Sequence, residues 1–203
     1  MSHTSLQYII LDAARMEEKM DEIAKLNYTG SPLLNTKDEL YVQKLSAFLF
    51  TFQSTGDFAN LIVNEGWGQS WGIYVSSNKS LNVVQQHLSR NMYASTDTGE
   101  IMYFRFYDPR VLRIFLPTCD LNQLFEFFGP VQKFIAEDED PQFALIYSLN
   151  TDGTLKTEKV MAGQLFEQLK NGNESAQSSP VIPAFEERKG NPPQKRKWYF
   201  LDE

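Results

Sequence analysis

A single cysteine, Cys119, leaves this 203-residue chain unable to close a disulfide within itself, which fits a reducing compartment. Histidine is nearly as scarce, with only His3 and His87, and no paired-histidine metal motif is present. Positive charge is also short. Nineteen Lys and Arg against twenty-six Asp and Glu give a net charge of −7, which argues against non-specific nucleic-acid binding, since that needs cations to neutralise phosphates. No apolar run approaches the roughly 18 to 20 residues of a membrane span. The first fifteen residues lack the basic region and apolar core of a secretory signal. A soluble, cytoplasmic protein is expected. Phosphate-binding glycine loops and Gly-x-Ser-x-Gly elbows are missing, and the acidic run Glu137–Asp140 lacks the spacing of a calcium loop. No cofactor, no metal site and no catalytic constellation is expected.

Aromatic residues are what the chain has in quantity. Fifteen Phe, nine Tyr and three Trp supply large side chains to bury or to present to a partner, and the length allows one sizeable core or a core plus a small appendage.

Along the chain, apolar runs alternate with amphipathic ones. Leu6–Leu11 reads as a buried strand, with Asp12 placed to cap a helix carrying Ala13, Met16, Met20 and Ile23 at helical spacing. Tyr28–Asn35 reads as a loop or irregular strand, Leu45–Phe52 as a second strand, and Gly56–Gly66 as a short helix. A turn at Trp67–Ser70 leads to the strand Trp71–Ser76, and Ser80 stands where a cap would open the helix through Leu81, Val84, Leu88 and Met92. Asp97-Thr98-Gly99 signals a turn, and Asp120 with Gln123 has the spacing of a capping box.

The segment Ile101–Pro117, IMYFRFYDPRVLRIFLP, is the one around which the rest is organised. Met102, Phe104 and Phe106 alternate with Tyr103, Arg105 and Tyr107, the period of a strand. Bulk on both faces suggests a central one. Asp108-Pro109 then switches strand to helix, Asp accepting free N–H groups and Pro needing none. Arg105 is the odd member, a permanent charge among aromatics that requires a carboxylate, carbonyls or ring faces.

Composition shifts at residues 136–141, giving expected divisions of 1–136, 137–170 and 171–203. The second holds a hairpin around Asn150–Gly153 and a short helix through Leu165, Phe166 and Leu169. The third is rich in Asn, Ser, Pro and charge, and is expected to be a flexible or docking tail ending in Lys195–Leu201. The fold class expected is α/β in the α+β sense: a mixed sheet with packed helices, a smaller C-terminal hairpin and helix lobe, and the tail.

Arg105-Phe106-Tyr107-Asp108-Pro109-Arg110-Val111-Leu112 resembles the signature of the type VI secretion effector adaptors, chaperone-like bacterial proteins carrying the domain called DUF4123. The likeness extends to Tyr8–Ala14, Ser70–Ser76, His87-Leu88 and Phe127–Pro130, in order, over about residues 6 to 136. The resemblance implies a non-catalytic cytosolic protein that binds a toxic effector and loads it onto the secretion spike, the valine-glycine-repeat protein VgrG or its PAAR tip.

Two readings of the charged residues stand side by side. In the structural one, Asp108 caps a helix and Arg105 pairs with a buried carboxylate such as Asp12. In the functional one, Arg105, Asp108 and Arg110 edge a groove lined by Trp71, Tyr103 and Tyr107 that grips a polypeptide, aromatic and Arg side chains being the usual anchors of interfaces. A different class remains open: a small hydrolase or ligand-binding enzyme using His87 with Arg105 and Asp108. For His87 a partner-bonded structural role is favoured, and for Cys119 an inert thiol.

Overall fold

The structure, a computed structural model, describes residues 6–26, 28–34, 46–95 and 101–173. His3, the Asp97–Gly99 turn and residues 174–203 of the expected tail, with Lys195–Leu201, lie outside the described residues, while residues 171–173, expected in the tail, end a helix.

The chain begins with Leu6–Asp12 (β1), Ala13–Met16 (α1), Glu18–Lys25 (α2), Ser31–Pro32 (β2), Ala47–Thr51 (β3) and Asp57–Leu61 (α3), which a π-turn extends through Gly66. Gly72–Ser77 (β4), Leu81–Asn91 (α4), Tyr93–Ser95 (β5), Ile101–Tyr103 (β6), Pro109–Phe115 (α5) and Leu121–Phe128 (α6) follow. Val131–Glu137 (β7), Phe143–Leu149 (β8), Leu155–Met161 (β9) and Ala162–Asn173 (α7) complete it. Seven strands form one sheet in the order β2-β3-β1-β4-β7-β8-β9, every neighbouring pair antiparallel. This is the expected α+β class.

The period of two along each strand sorts its side chains between two cores. Tyr8, Ile10, Ile73, Val75 and Phe134 face α4, α5 and α6, where Leu88, Leu112 and Phe127 meet them. Ile9, Leu11, Tyr74 and Ile135 face the other way, onto Met16, Ile23, Phe58, Ile62 and Phe166. Hence β1, β3 and β4 carry apolar residues at most positions, as strands covered on both sides require, whereas the outer strand β9 is largely polar and exposed. Ring geometry locks the first core: Phe127 stands 5.5 Å from Phe106 at 89° and 5.1 Å from Phe134. Each such fully buried side chain contributes about 1.5–3 kcal/mol relative to exposure.

Several local expectations are corrected. The helix expected after Asp12 is two helices, broken at Glu17, whose φ of 48° no helix tolerates. Neither Asp12 nor Ser80 makes a side-chain capping bond. The central strand expected from Ile101 ends at Tyr103, outside the main sheet. Among the described residues it pairs only with β5, through Tyr93↔Tyr103 and Ala94↔Met102, and Met102 and Tyr103 are exposed. Residues 104–108 turn instead, with Phe104 N donating to Met92 O at 2.8 Å and Asp108 N to Arg105 O at 3.0 Å. Alternation survives there because Phe104 and Phe106 drop into the first core while Arg105 points out. Residues 136–141, where a division is expected, form the end of β7 and its turn into β8. From there β8 and β9 continue the same sheet.

Candidate functional site

Asp12 ends β1 where that strand leaves its partners β3 and β4, and its backbone N–H donates to Trp71 O at 2.9 Å. One residue earlier in the ladder Leu11 faces Gly72, where any Cβ would strike Ile10 O, so only glycine lets β1 and β4 approach here. The Asp12 carboxylate is 1% exposed and forms an ion pair with Arg105 through Oδ2, while Oδ1 has no hydrogen-bond partner among the described residues. Arg105 lies over the Tyr107 ring, 5.9 Å from its centroid, and hydrogen-bonds to the Tyr107 hydroxyl. The Tyr103 hydroxyl is hydrogen-bonded to the same oxygen. Burial first, then the neighbouring Tyr107, pushes the Tyr103 hydroxyl far above the ordinary tyrosine range, so it stays a neutral donor.

The next turn of chain repeats the chemistry locally. Asp108 caps α5, its Oδ1 accepting from Arg110 N at 3.0 Å and Arg110 Nε at 2.9 Å, its Oδ2 from Arg110 Nη2 at 2.6 Å. Burial pushes the carboxyl up, but the bonds from the Arg110 side chain and backbone outweigh it and hold Asp108 below its usual value. Arg110 itself is 52% exposed on its side chain. One turn on, at the i, i+4 position of the same helix face, Ile114 is 74% exposed.

A third acid joins the neighbourhood. Glu137, at the head of the acidic run, is buried at the end of β7, its carboxylate accepting from Gly68 N at 2.6 Å and from Ser70 N and Oγ at 2.8 Å. Gly68 and Ser70 both have positive φ, so the turn before β4 is a strained loop pinned by one carboxylate. Trp67 Nε1 adds a bond to Pro141 O at 2.6 Å, and Arg113 Nη1 one to Glu137 O at 2.8 Å. Glu137 escapes sequence reading because its partners, two backbone N–H groups and one hydroxyl, are nearly seventy residues away; only its place at the head of an acidic run marks it.

Of the groove residues expected from sequence, the structure brings Tyr103, Arg105, Tyr107, Asp108 and Arg110 together. Trp71 stands apart, half-buried against the second core, its ring packed on Gly66. Tyr107 is only 1% exposed, so it backs the surface rather than forming it. His87 belongs to the first layer: Nε2 lies 2.8 Å from Phe127 O, which also accepts from Asn91 Nδ2, and the ring fills the space beside Gly129. Burial, then Asp120, pushes the Cys119 thiol up to about 12, leaving it un-ionised at neutral pH. The Asp120–Gln123 capping box is formed in both directions, each bond 2.9 Å. No group of three metal-ligating side chains is gathered among the described residues, and no helix among them is long and apolar enough to cross a membrane.

The fold and site are those of an antiparallel sheet between two helical layers, with an arginine-rich turn displayed at one strand end. Residues 7–126 match the family described as Domain of unknown function (DUF4123), more than half of the chain, and the protein belongs to that family. No curated protein and no solved structure matches it.

Proposed function

We propose that this protein is a non-catalytic cytoplasmic adaptor that binds a type VI secretion effector and presents it to the VgrG or PAAR spike. Family membership supports the reading, together with the resemblance of Arg105–Leu112 to the adaptor signature. The observation that carries it is the makeup of the turn at residues 103–114. Tyr103, Arg105, Arg110 and Ile114 are exposed there, on a backbone fixed by buried Asp12, Asp108 and Tyr107. Arginine and aromatic side chains held in place before contact lose little freedom on binding, which is how interface anchors act. The residues a catalytic alternative would use are engaged in packing: His87 with Phe127 O, Arg105 with Asp12, Asp108 with Arg110.

Co-purification of the full chain with an effector and a spike protein from one secretion cluster tests this. Arg110→Ala and Ile114→Asp should each weaken capture of one of the two by roughly thirtyfold, about 2 kcal/mol, with the fold intact by circular dichroism. Retention of neither partner by the unaltered chain would reject the adaptor reading.

A further inference from the structure

β9 closes one side of the sheet with a seven-residue strand, and among the described residues nothing pairs with its outer edge. The phase of the ladder is fixed at both ends of the β8–β9 hairpin: Asn150 N donates to Thr154 O, and Ala162 N to Gln142 O, both at 2.9 Å. Even-numbered residues of β9 therefore bond inward to β8. Leu155, Thr157, Lys159 and Met161 turn their N–H and C=O groups outward.

We propose that a second copy of this chain docks on that edge, β9 against β9, antiparallel about a two-fold axis through Thr157. The charges select the register. A two-fold pairing centred on Glu158 sets two glutamates face to face, and one centred on Lys159 sets two lysines together, both destabilising. Centred on Thr157, it places Lys156 opposite the second copy's Glu158, twice. These two positions lack ladder bonds to one another, so their Cα atoms lie at the closer spacing of about 4.5 Å. Lys156 and Glu158 already pair along their own strand at 3.0 Å, so the dimer closes an alternating square of four charges. Charged residues on a sheet edge ordinarily discourage pairing; this pattern discourages the neighbouring registers and favours one.

The apolar surface agrees independently. In this register the second copy's Met161 falls opposite Gly153. The Phe125 ring sits against Gly153 so closely that a Cβ there would lie 2.6 Å from it. Phe125 is 57% and Met161 44% exposed. Leu155 packs with the first core and shares its face with Met161, and that is the face α6 covers. A two-fold axis perpendicular to the sheet preserves faces, so the two exposed apolar side chains cover one another. The interface is isologous and closes at two copies.

Sedimentation equilibrium of the full chain decides. A reversible dimer is expected, and Lys156→Glu or Glu158→Lys alone should weaken it about tenfold or more. The double exchange Lys156→Glu/Glu158→Lys restores opposite charges across the axis and should bring the dimer back within about threefold of the original. All three changes are at exposed positions, and circular dichroism checks that the fold is retained. A chain that stays monomeric up to about 1 mM, where association is worth only about 4 kcal/mol, overturns the proposal. So does a dimer that either single exchange leaves unchanged, or one that the double exchange fails to restore.

Discussion

Asp12 and Asp108 are both buried aspartates facing an arginine of the same short turn, and they are held in opposite ways. Asp108 and Arg110 are two residues apart, and the helix start that positions one positions the other. Every Asp108 oxygen has a donor. Asp12 and Arg105 are 93 residues apart, and their meeting requires β1, the β5–β6 hairpin and the turn to be in place at once. One Asp12 oxygen is left without a partner among the described residues. The first pair is a local device that stabilises a helix end. The second is a tertiary tie, and a buried carboxylate of this kind is strongly destabilising once its counter-charge is removed.

That difference orders the expected effects. Arg105→Ala should cost the most, about 3–5 kcal/mol in urea unfolding, because Asp12 stays buried while its charge loses its counterpart. A loss under about 1 kcal/mol would mean that the tie contributes no more than a surface pair. Asp108→Ala should cost about 0.5–2 kcal/mol, the usual worth of an N-cap. Asp108→Asn should cost less, since Asn also caps.

Acid sharpens the contrast further. The Asp108 carboxyl is held below its unfolded value, so its contribution is full above the ordinary carboxylate range and is lost as pH falls through the lowered folded value. The stability gap between the original chain and Asp108→Asn should therefore be widest near about pH 7 and shrink toward about pH 2. A gap constant with pH would show that the carboxylate charge contributes nothing. Arg110→Ala should have the smallest effect on unfolding, about 0–1 kcal/mol, because its side chain is half exposed and the backbone N–H of residue 110 still donates to Asp108. The same substitution has the largest expected effect on partner capture, and that separation of stability from binding marks a display residue.

Legibility in the sequence follows the same division. The Asp108 cap, the Asp120–Gln123 box and the Asn150–Gly153 hairpin were readable because each is made by residues a few positions apart. The need of Arg105 for a partner, a buried carboxylate such as Asp12 being one candidate, was readable from its charge. Its setting was misread, since Phe104 and Phe106 keep a strand's period while lying in a turn over the core. Asp12 occupies a capping position without capping, because Arg105 takes its carboxylate. The bonds of Glu137 could not be read beyond its place at the head of an acidic run, for a carboxylate that binds groups nearly seventy residues away leaves no spacing to find.

The strand order β2-β3-β1-β4-β7-β8-β9 also carries a consequence for synthesis. Four strands of the sheet are complete once Ser77 has emerged, but the next neighbour of β4 begins only at Val131. Residues 78–130, which build the helical layer of the first core, come between. At about 5–20 residues per second, the ribosome leaves the β4 edge without its partner for roughly 3–10 s. That edge carries Ile73, Tyr74 and Val75, an apolar run of high strand propensity. The nascent chain is therefore most exposed to wrong pairing while residues 78–130 are being made, and arrival of β7 ends that interval by covering the edge.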